Sequence, residues 1–171
     1  MKRILLLCFG LLFIGYLVWP QPMTIPVLGA SARDWNHKTF WHEPWGASGV
    51  HRGIDIFAKE GTPVVSPVRG ITIYAGTLGR GGNVAVVLTT QGRVHYFAHM
   101  RDTWVTVGQP VGHKQEIGTV GKSGNAATTP AHLHYSIATL IPYPWRWDQS
   151  TMGWKKMFML DPTEELLGSR E

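Results

Sequence analysis

Between residues 46 and 141 the hydrophobic and polar positions alternate in short segments bounded by glycine, and no segment repeats with a helical period. Such alternation is typical of β-strands, in which successive side chains point to opposite faces. The segments that predict strands are His51–Phe57, Val64–Val65, Gly70–Gly76, Asn83–Thr90, Arg93–His99, Trp104–Val107, Glu116–Val120 and a last one that begins at Ala131. Their spacing predicts an all-β fold, a compact antiparallel β sandwich or partly open barrel.

The N-terminal residues have a different pattern. Lys2 and Arg3 precede Ile4–Trp19, an apolar run of 16 residues that ends at Pro20. This length fits either the core of a signal peptide or a short membrane span. Basic residues before such a run hold that end in the cytoplasm, so the rest of the chain is exported. We therefore expect an N-terminal apolar helix, an uncleaved signal anchor, over residues 1–20.

The next segment, residues 21–45, is expected to be a linker and lead-in, with prolines that keep its first part extended. Cleavage after Ala32, in a small-x-small sequence, is the alternative to an anchor. Trp35, Trp41 and Trp45 follow. We expect these aromatic residues to cover one end of the core, the alternative being that one of them forms a wall of a substrate groove.

Composition narrows the chemistry that the chain can use. Hydrophobic residues make up 44% of it and charged residues 16%, which excludes a disordered protein. Without Lys2 and Arg3, 14 basic and 11 acidic residues remain and form no basic cluster, so no nucleic-acid partner is expected. The single cysteine, Cys8, lies in the apolar run, which leaves no thiolate for the folded part. A metal site would use histidine and carboxylate, donors that suit zinc.

Three places in the sequence carry candidate chemistry. His132 and His134 stand two apart in a predicted strand and would share a face. His51 and Asp55 would share a face of an unbroken strand, where a carboxylate flanked by isoleucines is costly unless it is paired or binds a metal. The third place is His99. Three ligands suffice for a hydrolytic zinc site, so His51, Asp55 and one strand histidine would supply them. The other strand histidine, with His99, would transfer protons.

In this order the motifs resemble those of the lysostaphin-type (LytM-type) zinc endopeptidases, which cut peptidoglycan cross-bridges. The motifs of that family are His-x-x-x-Asp, Tyr-x-x-His and His-x-His. Here they stand as His51–Asp55, Tyr96–His99 and His132–His134, separated by a matching glycine framework that includes Gly61–Val64. The resemblance covers roughly residues 46–140.

The resemblance implies that His51, Asp55 and His134 bind zinc and that His99 and His132 act in catalysis. It also implies a compact antiparallel domain with its site in an open groove. The activity implied is hydrolysis of peptide cross-links in peptidoglycan by a metal-activated water, with a histidine as general acid and base. An N-terminal anchor without wall-binding repeats fits the inner membrane of a Gram-negative envelope, with a periplasmic catalytic domain. We therefore expect the D-alanyl–diaminopimelate bond to be cut.

The domain that carries these motifs is expected over residues 46–141 and a packing tail over residues 142–171. In the tail, Asp161–Leu167 has the pattern of a short capped helix. His95 is an additional histidine, four positions before His99. In a regular strand both would lie on one face, so we expect His95 at the rim of the groove.

Three other functions are compatible with parts of the sequence. Relatives of the family that have lost ligands act as activators of wall amidases, but here all three ligands are present. A zinc amidase that cuts the bond between sugar and peptide would use the same residues. A lipoyl or biotinyl carrier needs an exposed lysine at a hairpin tip, for which Lys122 is the candidate, and would leave the histidines unexplained. A regulatory partner in the envelope is compatible with all of them, and no motif identifies one.

Overall fold

The computed structural model describes residues 22–168, and within them nine strands form one antiparallel sheet. The strands are β1 (Ile54–Phe57), β2 (Pro63–Val65), β3 (Gly70–Thr77), β4 (Asn83–Leu88), β5 (Arg93–Thr103), β6 (Pro110–Val111), β7 (Glu116–Val120), β8 (His132–Thr139) and β9 (Met159–Leu160). The helix α1 (Pro162–Gly168) follows them. Short 3-10 turns occupy Ala32–Asp34, Gly46–Ser48, Gly79–Gly81, Gly124–Ala126, Pro144–Arg146 and Gly153–Phe158. This confirms the prediction of a mainly β protein.

The N-terminal anchor predicted over residues 1–20 lies outside the described residues. Among residues 22–168, no helix is long and apolar enough to cross a membrane.

The strand order is that of an open sheet and not of the expected sandwich or barrel. The path runs β1-β8-β5-β4-β3-β6, while β7 pairs with both β2 and β5, and β9 pairs with β8. β5 connects these parts because it is 11 residues long and changes partners along its length. Its first half pairs with β4 and β8, and its second half pairs with β7. One continuous strand, β5, therefore links β4 and β8 to β7 within a single sheet.

One face of β1 and β8 supplies the centre of the hydrophobic core. Ile54 and Ile56 of β1 are fully buried, as are Leu133, Tyr135 and Ile137 of β8. The alternation in both strands therefore sends every second side chain into the core. Each buried aliphatic side chain of this size stabilises the fold by about 1.5–3 kcal/mol relative to an exposed position.

The segments that flank the sheet share this core. Trp35, from the lead-in segment, is buried, and its indole Nε1 donates a hydrogen bond of 3.1 Å to Thr163 Oγ1 of α1. The predicted C-terminal helix is present, and the Asp161 side chain accepts from Thr163 N at 2.8 Å, which caps the first turn. Leu166 of α1 also packs in the core.

The first predicted strand is shorter than expected, because β1 begins only at Ile54. His51 lies before the strand, in a loop whose backbone pairs with the lead-in segment. Trp41 N donates to His51 O at 2.6 Å, and His51 N donates to His42 O at 3.0 Å. His51 therefore reaches the site through this loop and not through the alternation of a strand.

The strand predicted for Trp104–Val107 is wrong. Trp104 N still bonds to Ile117 O at 2.9 Å, but the chain then turns, and Gln109 Oε1 accepts from Thr106 N at 3.1 Å. Within this segment Val105 is buried, whereas Trp104 is 51% and Val107 65% exposed. An alternation of side chains without a neighbouring strand to pair with does not make a strand.

Candidate metal centre and groove

Neighbouring strands place the first two candidate ligands next to each other. Asp55 of β1 and His134 of β8 are directly paired residues in the antiparallel register. Both side chains point away from the core face that Leu133 and Tyr135 enter. A directly paired position brings the two side chains within contact distance. The carboxylate and the imidazole therefore meet because of the sheet register alone.

The third candidate ligand, His51, joins them from its loop. His51 Nε2 lies 3.1 Å from Asp55 Oδ1 and 3.1 Å from His134 Nδ1, and His134 Nδ1 lies 2.8 Å from Asp55 Oδ1. The candidate ligand atoms all lie within 4.8 Å of one another. Gly53 permits this approach, because a Cβ there would overlap the His134 ring and the Tyr135 carbonyl.

This donor set fits a zinc ion. His51 Nδ1 makes a 3.1 Å hydrogen bond to the Thr39 carbonyl, which places its proton on Nδ1 and leaves the Nε2 lone pair facing Asp55. Two imidazole nitrogens and one carboxylate oxygen form a standard three-ligand set of hydrolytic zinc sites. A zinc ion bound there would supply a Lewis acid and a bound water whose pKa is about 7.

Two further histidines lie beside these residues, and each has a fixed tautomer. His132 Nδ1 donates to the Pro130 carbonyl at 2.8 Å, and His99 Nδ1 donates to the Ser123 carbonyl at 3.0 Å. The two rings are 5.0 Å apart between centroids. In both residues Nε2 is left as the nitrogen that can accept a proton. His132 Nε2 is 3.9 Å from Asp55 Oδ1.

The ionisation states at neutral pH suit metal binding. Burial alone would raise the pKa of Asp55, but the His134 and His51 rings in contact with the carboxylate outweigh it and hold this pKa well below its usual value. Burial lowers the pKa of His134, although the hydrogen bond to Asp55 opposes this. Burial, with the nearby His132 and His134, lowers the pKa of His99 to about 4. The Asp55 carboxylate is therefore ionised, and the lowered pKa values of His134 and His99 favour their neutral imidazoles.

A family model for peptidase family M23 matches residues 49–142, which is more than half of the 171 residues. The chain belongs to peptidase family M23. All five candidate residues, His51, Asp55, His99, His132 and His134, lie within the match.

Curated relatives of this M23 chain include both an enzyme and an activator. It is 34% identical to the L-Ala--D-Glu endopeptidase of Bacillus subtilis over 113 residues, which are 61% of this chain and 35% of the relative. It is 33% identical to the murein hydrolase activator NlpD of Escherichia coli over 97 residues, which are 56% of this chain and 25% of that protein. The chain thus spans about a third or less of these relatives.

Among solved structures, the M23 chain resembles the catalytic domain of the antimicrobial peptidase lysostaphin from Staphylococcus simulans. The TM-score is 0.61 at 27% identity, with 75% of this chain and 89% of that domain covered. The resemblance therefore extends over nearly the whole catalytic domain of that peptidase.

A groove of about 400 Å³ adjoins the candidate ligands of the M23 domain. Tyr96, Ala98 and Ser136, from the outer faces of β5 and β8, are among the residues that line it. Trp45 lines it as well and stacks on His51, with ring centroids 4.1 Å apart and planes 19° apart. Of the aromatic residues in the lead-in segment, Trp35 covers the core as predicted, and Trp45 realises the alternative of a groove wall.

His95 is not at the rim of this groove, so that prediction is wrong. Its side chain is fully buried on the core face, where Nδ1 lies 2.7 Å from the Tyr135 hydroxyl. The reason is His99, whose φ of 62° interrupts the regular alternation of β5. With that irregularity His99 faces the groove together with Tyr96, while His95 stays on the core side with Phe97.

Sequence reasoning also missed two charged residues that line the groove, Arg52 and Arg80. Arg52 directly follows the candidate ligand His51, and this adjacency was the only feature of the sequence that could have placed it at the groove. Arg80 is separated from every candidate ligand by more than twenty positions, and nothing in its local sequence indicates a groove.

Proposed function

We propose that this M23 protein is a zinc-dependent endopeptidase that hydrolyses peptide cross-links of bacterial peptidoglycan. The observation that carries the proposal is the cluster of His51, Asp55 and His134 beside a groove, with two more histidines next to it. A site built only for structural stability would close its fourth position with another protein ligand, whereas hydrolytic zinc sites leave it open.

In this proposal the five residues divide into two groups. His51, Asp55 and His134 hold the metal, since their candidate ligand atoms all lie within 4.8 Å of one another. His99 and His132 move protons through Nε2, because their Nδ1 atoms are committed to the carbonyls of Ser123 and Pro130. A neutral imidazole can take a proton from the attacking water and return it to the amine that leaves.

The groove supports an extended peptide as substrate. Small side chains, Ala98, Ser136 and Ala138, lie along it, so a peptide backbone can approach β5 and β8 closely. By its name, the Bacillus subtilis relative cleaves between alanine and glutamate. For this chain we propose the D-alanyl–diaminopimelate cross-link of a Gram-negative wall, reached from the periplasmic side of an inner membrane that residues 1–20 anchor it to.

A second candidate function is activation of a wall hydrolase without catalysis, which the similarity to NlpD favours. An activator has no need of metal ligands or of histidines with a free Nε2. The complete set of both in one place therefore supports the enzyme over the activator.

Purified sacculi provide the test. The zinc-loaded full-length protein should convert cross-linked muropeptide dimers into monomers, read by mass spectrometry, and Asp55→Ala protein should not. Release of intact stem peptides from the sugar would identify an amidase instead. Unchanged sacculi, with faster digestion once a wall amidase is added, would replace the proposal with the activator function.

A further inference from the structure

Two guanidinium groups line the groove without a partner of their own. Among the described residues, neither the Arg52 nor the Arg80 side chain forms an ion pair or a hydrogen bond, and both residues are exposed. Two other arginines do have partners: Arg93 pairs with Glu165 at 2.5 Å, and Arg146 donates to the Met159 carbonyl at 2.8 Å.

No negative charge of the protein balances them in the groove. Among the described residues that line it there is no aspartate and no glutamate, and Arg52 and Arg80 are the only arginine or lysine side chains there. Asp55, the nearest carboxylate that the site offers, is already bonded to His51 and His134. The groove therefore presents an uncompensated positive potential to whatever enters it.

Arg80 is held on a turn with a fixed position relative to His99. The turn Gly79–Gly81 between β3 and β4 packs against the turn Gly124–Ala126, and a Cβ on Gly124 would overlap the Arg80 carbonyl. Asn83 N donates to Ser123 Oγ at 2.9 Å, and the carbonyl of the same serine accepts from His99 Nδ1. The backbone of Arg80 is thus tied to the loop that orients a proposed catalytic histidine.

Arg52 reaches the groove from a different segment of the chain. Arg52 follows His51 in the loop before β1, the strand at one end of the order β1-β8-β5-β4-β3-β6. The turn that carries Arg80 connects β3 and β4. The charge of Arg52 also acts on Tyr96 of the groove, where it opposes the rise in the pKa of the phenol that burial causes. Tyr96 lies near both arginines, since a Cβ on Gly81, the residue after Arg80, would overlap its hydroxyl.

We propose that Arg52 and Arg80 bind carboxylate groups of the substrate peptide, so that the groove selects anionic stem peptides over neutral glycine or alanine bridges. Planar guanidinium groups pair with carboxylates through two parallel hydrogen bonds, which gives both affinity and orientation. Stem peptides with glutamate and diaminopimelate carry such carboxylates on both sides of a cross-link, whereas glycine bridges carry none. The proposal rests on the proposed function for the identity of the peptide.

Binding can be tested apart from catalysis. The full-length, zinc-loaded protein would be titrated calorimetrically with γ-D-glutamyl-diaminopimelyl-D-alanine and with the same peptide amidated at its side carboxylates. The charged peptide should bind roughly tenfold more tightly, which is the effect of one charge-assisted hydrogen-bonded pair. Arg52→Gln and Arg80→Gln should each reduce this preference, and Arg80→Lys, which keeps the charge but not the planar fork, should retain part of it.

The matched control is Arg33→Gln, which removes the same charge from an exposed residue outside the groove and should leave the preference intact. Equal binding of the two peptides by the unaltered protein, or an unchanged preference in both Gln variants, would overturn the proposal. Sacculus digestion separates this from the peptidase assignment. Cleavage without any preference would reject the carboxylate subsites alone, and an arginine-dependent preference without cleavage would reject the peptidase alone.

Discussion

The two faces of β8 use the same residue alternation for opposite purposes. On the core face Leu133, Tyr135 and Ile137 are completely buried against other side chains of the protein. On the other face a ring nitrogen of His132 lies 3.9 Å and one of His134 2.8 Å from the Asp55 carboxylate. The strand fixes the positions of the side chains on both of its faces. The two faces differ because only the site face leaves polar atoms available to a ligand.

The two histidines of the adjacent β5 also differ in that one lies on the core face and the other in the groove. Burial lowers the pKa of His95 to about 3 and that of His99 to about 4, so both are neutral at neutral pH. His95, however, is enclosed with the Tyr135 hydroxyl, whereas His99 lines the groove. A strongly lowered pKa therefore does not by itself identify a functional histidine. What distinguishes His99 from His95 is that its ring lines the groove.

Removing a proposed metal ligand should have the largest effect. Asp55→Ala and His134→Ala should abolish the retention of about one zinc per chain and all hydrolysis with it, because a hydrolytic zinc site needs three protein ligands. Metal content after gel filtration, measured by atomic emission, is the readout. Zinc retained in full by both variants would show that the ligands have been misassigned.

Removing a proposed proton carrier should leave the metal in place. His99→Ala and His132→Ala should keep zinc and lose about 10²–10⁴-fold in turnover, the usual contribution of acid–base catalysis. The measurements are zinc content and the initial rate of muropeptide dimer cleavage. If both variants cleave at near-normal rates, these histidines have no catalytic role.

Much of this arrangement was predictable because it depends on local alternation. The strand that carries His132 and His134 follows from residues that alternate in one short segment, and the burial of Ile54 and Ile56 around Asp55 follows in the same way. Residue types and spacing proposed His51, Asp55 and one of the two strand histidines as metal ligands, and the family resemblance selected His134. Its members turned out to lie within contact distance in the folded chain.

Other features depend on contacts between distant segments and were out of reach. The left-handed backbone of His99 changes which face it occupies, and residue type at that position does not signal it. His51 is placed by hydrogen bonds to Trp41 and His42, not by its own strand. Arg80 reaches the groove because its turn packs against the loop at Gly124. Each of these needs the tertiary structure.

A truncation on the core face should change stability but not chemistry. Leu133→Ala removes a fully buried side chain between the two histidines of β8 and should lower the free energy of unfolding by about 2–5 kcal/mol. Denaturant unfolding measures this loss, and zinc content per folded chain should stay the same. Loss of zinc from the folded variant would show that the two faces are not independent.

The smallest expected effect is a change in the acid sensitivity caused by His95. Its pKa is about 3 in the folded state and near 6.5 when unfolded, so between these values the unfolded chain binds the extra proton. Stability therefore falls as the pH drops from about 6.5 towards 3, by at most about 1.4 kcal/mol per pH unit from this group. His95→Asn, which can still bond to the Tyr135 hydroxyl but does not titrate, should flatten that slope.

The groups around His95 do not obscure this effect. Tyr135 stays protonated throughout the window, since burial raises the pKa of that phenol well above its usual value. His99 titrates with the same sign, but it is present in both proteins and cancels in the difference between them. Urea unfolding of the two proteins, both stripped of zinc by a chelator, should be compared between pH 7 and pH 4.5. Parallel pH profiles would mean that His95 takes up its proton without unfolding, and that the core face is less closed than its burial indicates.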